Sequence, residues 1–190
     1  MNIWLKGAAA LAFGIAAFTA QAQASLLGDQ FSQNYYLNAV PYAFYSATNP
    51  IVTAPFAGEL GSVEGVTTIN ADISATNLTL TLDTVLDSPT WNSLTFNGVI
   101  FTLLAPSTLN ISNVIVSPST TMVGFDASRV SLTSNSIAID WGGLSYVAGT
   151  IVSLDFAFRD ATAVPEPATL ALMGAGLAGF GLRRHKRAQS

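Results

Sequence analysis

Carboxylates and tyrosines are the side chains through which this sequence could do chemistry. The 190 residues hold no cysteine and one histidine, His185, within the last six positions. Zero Cys excludes disulfides, Cys-ligated zinc, iron–sulfur clusters and cysteine nucleophiles. With His185 confined to a basic tail, the long middle of the chain has no histidine. That removes His general bases, Ser–His triads and His-ligated metals together. Among the carboxylates, Asp140 stands beside Trp141, and Asp155 and Arg159 share one outward strand face. A glycosidase needs two carboxylates about 5–10 Å apart across a cleft. Nothing in the sequence pairs Asp140 with Asp155, although adjacent strands would. Solvated charges, and a weak surface ion pair between Asp155 and Arg159, are the ordinary expectation.

Metal and nucleotide chemistry have thinner signals. No D-x-D-x-[DN] run offers a calcium loop. Asp126 in Gly124-Phe125-Asp126-Ala127-Ser128 is an isolated candidate, as are Asp83 and Asp87, and turn formation is the plainer role for each. No metal or other cofactor is expected. Gly174-Ala175-Gly176-Leu177-Ala178-Gly179 matches G-x-G-x-x-G. A dinucleotide site would also need a preceding strand and an acidic residue about 20 positions on, and basic sequence follows instead. An acidic balance, net charge −4 with seven Lys+Arg, argues against nucleic-acid binding, which needs clustered cations.

The tyrosines carry the binding hypothesis. Tyr35, Tyr36, Tyr42, Phe44 and Tyr45 crowd into eleven residues. Exposed aromatic faces with hydroxyls suit a glycan, so Tyr35, Tyr36, Tyr42 and Tyr45 are the candidate ligand-binding residues. The competing expectation is that the cluster packs the core and its edge. Asn77-Leu78-Thr79 and Asn110-Ile111-Ser112 match the glycosylation acceptor pattern.

These residues sit in a chain of three parts: 1–24, 25–163 and 164–190. Within 25–163 there are ten acids, two bases (Arg129 and Arg159) and no Lys, so the net charge is 2 − 10 = −8. Ser and Thr supply 34 of these 139 residues, and the periodicity is two. Leu78, Leu80 and Leu82 alternate with Thr79, Thr81 and Asp83. Leu94 and Phe96, then Val99, Phe101 and Leu103, flank Asn97-Gly98, a strong hairpin signal. Val130 and Leu132 lead through Ser134-Asn135 to Ile137, Ile139 and Trp141, a second hairpin. Val152, Leu154, Phe156 and Phe158 form the last strand, and residues 67–74 and 113–117 are further strands. At least seven short strands without an amphipathic helix predict an all-β domain, an antiparallel β-sandwich of jelly-roll-like or Ig-like type.

The ends read as addresses. Lys6, the apolar run Gly7–Ala20 and the A-x-A sites ending at Ala22 and Ala24 have the order of a secretory signal peptide. At the other end, Val164-Pro165-Glu166-Pro167 is extended. The uncharged Ala168–Leu182 follows, and four of the seven Lys+Arg lie in the last eight residues. An apolar helix closed by a basic cluster predicts a single membrane span with a cytoplasmic tail. At about 22 Å the run is short for a ~30 Å hydrocarbon core, as suits a transient anchor.

Pro165-Glu166-Pro167, the apolar helix and Arg183-Arg184, in that order at the extreme C-terminus, resemble the PEP-CTERM sorting signal of Gram-negative bacteria. The resemblance covers residues 164–190. It implies recognition of Pro165, Glu166 and Pro167 by exosortase, a membrane transpeptidase, with Arg183 and Arg184 setting topology. Signal peptidase and exosortase are then the processing partners. The inner membrane is a transient anchor, and the destination is the cell surface or an exopolysaccharide matrix. The expected function is a non-enzymatic structural or adhesive role in that exopolysaccharide or biofilm. A carbohydrate-binding module and a small carboxylate-only glycan-acting enzyme are the alternatives. Core placement of the Tyr35–Tyr45 cluster favours the structural role, and an exposed planar strip favours glycan binding.

Overall fold

The computed structural model describes residues 25–159, except 39, 106 and 107. The signal peptide with Ala22 and Ala24, the PEP motif, the apolar helix, Arg183, Arg184 and the Gly174 run lie outside the described residues.

Alternation builds two six-stranded antiparallel sheets. The first has the order β10 (Val130–Leu132), β11 (Ser136–Asp140), β8 (Asn97–Leu103), β1 (Gln30–Leu37), β2 (Val40–Pro41), with β4 (Ile51–Thr53) also paired to β1. The second runs β3 (Tyr45–Ala47), β5 (Phe56–Val63), β6 (Thr67–Ile73), β7 (Asn77–Thr84), β12 (Thr150–Phe158), β9 (Ile111–Val116). The twelve strands exceed the seven of an Ig constant-type sandwich and the eight of a jelly roll. The described residues belong to one compact unit. Among the described residues the helical element is a single 3-10 turn, Ala127–Arg129, and no helix is long and apolar enough to cross a membrane.

The core is the set of inward positions of both sheets. Leu78, Leu80 and Leu82 are buried on β7, Ile69, Ala71 and Ile73 on β6, and Val152, Leu154 and Phe156 on β12. Facing them are Phe31 and Tyr35 of β1, Val99, Phe101 and Leu103 of β8, and Ile137 and Ile139 of β11. A period of two places each set on one face, and burying the apolar face is what holds two sheets together. The Val130–Leu132 to Ser136–Asp140 hairpin forms as expected, with Val130 opposite Ile139. Trp141 follows it, fully buried.

The Asn97-Gly98 hairpin does not form. Leu94 is exposed and outside any strand, and Asn97 and Gly98 open β8 instead. They pair with Leu37 and Tyr36 of β1. The glycine meets a packing need: a Cβ there would lie 1.9 Å from the Ile139 carbonyl oxygen. The asparagine is buried and binds the Asn92 carbonyl through Nδ2 at 2.9 Å. Close approach and a buried polar network select the same two residue types as a tight turn does.

Candidate functional site

Two segments without regular strand structure meet at one end of the sandwich. Thr90 and Ser145 form an isolated antiparallel bridge. The Trp91 amide donates to the Leu144 carbonyl at 2.9 Å, and the Tyr146 amide to that of Pro89 at 3.0 Å. This short ladder brings Trp91 against Tyr146, 55 positions later, with ring centroids 4.5 Å apart and planes 8° apart. Tyr35 arrives from β1, its ring 5.6 Å from Trp91 and 6.1 Å from Trp141. Offset aromatic contacts at these separations add to their burial energy.

Above this floor lies a cleft of about 140 Å³. Tyr35, Trp91 and Tyr146 line its bottom, with Thr67 and Asn97 beside them and Tyr42, Glu64 and Leu86 at the lip. The Thr67 hydroxyl shares a hydrogen bond with the Tyr146 hydroxyl at 2.8 Å. The Tyr35 hydroxyl donates to Asn97 Oδ1 and accepts from Trp141 Nε1 at 3.4 Å. The Tyr42 hydroxyl donates to Glu64 Oε1. Trp91, 7% exposed, has a buried Nε1–H with no partner. Burial holds the Tyr35 and Tyr146 hydroxyls above the usual phenol range. The bond to Glu64 does the same for Tyr42. All three remain neutral donors and acceptors at physiological pH.

The lip has an unusual backbone. Val63, Glu64, Gly65 and Val66 form the turn from β5 to β6, closed by the Val66 amide on the Val63 carbonyl at 3.1 Å. Glu64 has φ 54° and Gly65 φ 68°. Positive φ at both central positions is the hairpin-favoured primed geometry, in which Asn-Gly is the preferred pair. The glutamate amide is held by the Phe44 carbonyl at 2.8 Å.

The four expected ligand tyrosines divide. Tyr35 and Tyr42 line the cleft. Tyr45 packs against Tyr35 at 5.9 Å and donates to Gln33 Oε1 at 2.8 Å; burial lifts its hydroxyl to about 12. Tyr36 lies on the opposite face of β1 from Tyr35, level with Gly98 and Pro41. Phe44 is exposed and meets Tyr42 edge-on at 5.6 Å. The cluster is neither all core nor a planar strip. Sequence reasoning missed Trp91, Tyr146, Thr67 and Glu64. Only Glu64 carried a local signal, as Glu-Gly between two alternating runs.

The carboxylates hold structure. Asp140, on β11, accepts through Oδ1 from the Asn97 amide at 3.0 Å and the Gly142 amide at 2.9 Å. Asp155, on β12, accepts from Asn77 Nδ2 at 2.8 Å, so its partner is Asn77 rather than the expected Arg159. Asp140 and Asp155 are therefore on different sheets, not on adjacent strands. Asp83 accepts from Asn70 Nδ2 at 3.1 Å. Asp126 caps the 3-10 turn by accepting from the Ser128 amide and hydroxyl at 2.8 and 2.6 Å. Those bonds pull its carboxyl below the usual range. Among the described residues no group of three His, Cys, Asp or Glu side chains is placed to hold a metal. Asn77 of the first acceptor pattern is tied into the sheet through Ser153 and Asp155, and Asn110 of the second is exposed.

The domain is thus a β-sandwich with an aromatic-floored cleft at one end. The class of the chain is marked by its C-terminal segment: residues 163–187 match the family model described as the PEP-CTERM protein-sorting motif. The chain carries this sorting signal, which marks an exported protein that passes the membrane and is processed by exosortase. No curated protein and no solved structure matches the chain.

Proposed function

We propose that this is a non-enzymatic surface or matrix protein. Residues 1–24 are its signal peptide, removed after Ala22 or Ala24. Residues 25–163 are the exported sandwich, and 164–190 hold it in the inner membrane through one apolar helix until exosortase cuts near Pro165-Glu166-Pro167. Arg183 and Arg184 keep the tail cytoplasmic, and the released domain joins the cell surface or an exopolysaccharide matrix. The observation that carries this reading is the sorting motif at residues 163–187. The non-enzymatic part is supported by Asp83, Asp126, Asp140 and Asp155, the candidate carboxylates that accept hydrogen bonds from amides of their own neighbourhood. Mass spectrometry of the exported form tests the reading. The mature chain should begin near Gln23 or Ser25 and lack residues from about Ala168 onward. Recovery of Arg187 in exported material refutes it.

A carbohydrate-binding role is the second reading. The end cleft favours it, because stacked rings and neutral hydroxyls line one concavity.

A further inference from the structure

We infer that β9 is a docking edge for a second copy of this chain. The two β9 strands pair antiparallel about a two-fold axis at Ile115 and join the second sheets of both copies into one. Self-pairing of this kind is independent of how the chain is sorted and of what the end cleft holds.

The hydrogen-bond ladder leaves β9 open on one side. It closes the second sheet and pairs with β12 alone. Ser117, just beyond β9, donates its amide to the Ser153 carbonyl at 2.9 Å. Ser153 stands two positions before Asp155, which lies opposite Ile115. Ladder groups alternate along an antiparallel strand, so Ile115 and Ser117 turn theirs toward β12, and Val114 and Val116 turn theirs away. Among the described residues no hydrogen bond meets Val114 or Val116 on that side. The other marginal strands are blunt. β2 has two residues, and β3, β4 and β10 have three each. β9 has six, Ile-Ser-Asn-Val-Ile-Val, with neither charge nor proline. Short length, charge and proline are the devices that keep an edge from pairing, and β9 uses none of them. Its irregularity, opposite Ala157 and Phe158, lies at the Ile111 end.

The side chains agree. Val114 and Val116 pack on the core but stay half-buried, and Ile115, on the outer face, is 53% exposed. A strand laid along β9 covers all three.

Charge, register and closure identify that strand as a second copy. The segment 25–163 carries −8, so copies repel over most of their surface, whereas residues 111–125 contain no acid or base. With the free groups on Val114 and Val116, a two-fold axis sets each Val114 opposite the partner's Val116 and fills every open group of both strands. It also sets Ile115 beside the partner's Ile115, at the narrow spacing of about 4.5 Å between Cα atoms. The other margin of the sheet is β3, with three residues. The pairing is therefore isologous and closes at a dimer.

The chain has no cysteine, so one introduced thiol reports its own position. The full chain is oxidised mildly in detergent, with micelles in large excess. Ile115→Cys should form a disulfide-linked dimer, because a spacing of about 4.5 Å lies within the disulfide range of about 4.4–6.8 Å. Val123→Cys is the control. That position is 85% exposed, so random collision would link it first, and it should stay monomeric. Sedimentation of the parent should show a dimer. Ile115→Lys, which brings two cations to the axis, should raise its Kd at least about tenfold with the circular dichroism unchanged. Equal linking of the two cysteines, a parent that sediments as a monomer, or a dimer that Ile115→Lys does not weaken overturns the proposal. Disulfide capture of a different protein by Ile115→Cys in the expressing cell, without self-linking, overturns the second copy as occupant.

Discussion

Trp141 joins the core to the cleft. It is fully buried at the end of β11, donates through Nε1 to the Tyr35 hydroxyl at 3.4 Å, and lies 5.7 Å from the Trp91 ring. Removing it leaves a cavity that β11, pinned on both edges by β8 and β10, cannot collapse to fill. Trp141→Ala should therefore cost about 3–5 kcal/mol of stability, read from the denaturant midpoint. An unchanged midpoint would mean that the indole faces solvent. Gly98 tests the opposite limit, a site with no room at all. Its Cβ would meet Ile139 O at 1.9 Å and Ile139 C at 2.9 Å, both backbone atoms. Gly98→Ala must push β8 from β11, costing roughly 1–3 kcal/mol. A loss of similar size from Gly65→Ala would have a different cause. That glycine has open space around it and φ 68°, so only its backbone conformation resists a side chain.

Between strands, one buried amide links the two sheets. Gln33 is 4% exposed on β1 of the first sheet. Its Nε2 donates to the Asn49 carbonyl at 2.8 Å and to the Leu60 carbonyl of β5, in the second sheet, at 3.0 Å. Its Oε1 accepts from Tyr45 of β3. Gln33→Leu keeps the bulk and removes all three bonds, so it should destabilise by about 1–3 kcal/mol although it makes the core more apolar. A more stable variant, measured by the same denaturant titration, would show that the amide is dispensable. This residue also explains why β1 was illegible in the sequence while β6, β7, β11 and β12 were plain. Past a threonine at the first position of β6 and of β12, their inward positions form unbroken aliphatic or aromatic runs, such as Ile69, Ala71 and Ile73 or Val152, Leu154 and Phe156, so alternation announced them. Those of β1 are Phe31, Gln33 and Tyr35, and a polar residue at the middle inward position erases the binary pattern. Asn97-Gly98 failed for the converse reason, because a local turn signal was present and a long-range packing need had produced it. The cleft was half legible. Tyr35 and Tyr42 stood out as a local cluster, but Trp91 and Tyr146 meet only through pairing across 55 residues, which no short-range pattern records.

For the molecule as a whole, the decisive electrostatic fact is which groups can titrate. Residues 25–163 contain no Lys, Cys or His, the side chains besides tyrosine that ordinarily titrate near or above neutral pH. All five tyrosines of the chain lie in this segment, so between neutral pH and about 12 the phenols are the side chains that can change its charge. Four have hydroxyls held above the ordinary 10.0. Burial acts first on Tyr35, Tyr45 and Tyr146, and the Glu64 hydrogen bond on Tyr42. A phenol whose folded pKa exceeds its unfolded one contributes stability that is complete below about pH 10. That contribution is lost as pH rises through the folded value, about 12 for Tyr45. Each new phenolate also adds to a domain already at −8 and strips a donor from the Tyr35–Asn97 or Tyr45–Gln33 bond. The domain should therefore hold its structure to about pH 10 and unfold between there and about pH 12. Acid should leave the bonds of Tyr35, Tyr45 and Tyr146 untouched, because their partners Asn97, Gln33 and Thr67 do not titrate. The measurement is a base titration of the 25–163 segment, following tyrosinate absorbance and far-ultraviolet circular dichroism together. The late part of the tyrosinate signal should move with loss of the β spectrum as one cooperative transition, because the phenols of Tyr35, Tyr45 and Tyr146 ionise only when the sandwich opens. If the phenolate signal instead completes near pH 10 while the β spectrum stays intact, the aromatic cluster is solvated and the packing of Tyr35 between the tryptophans is refuted.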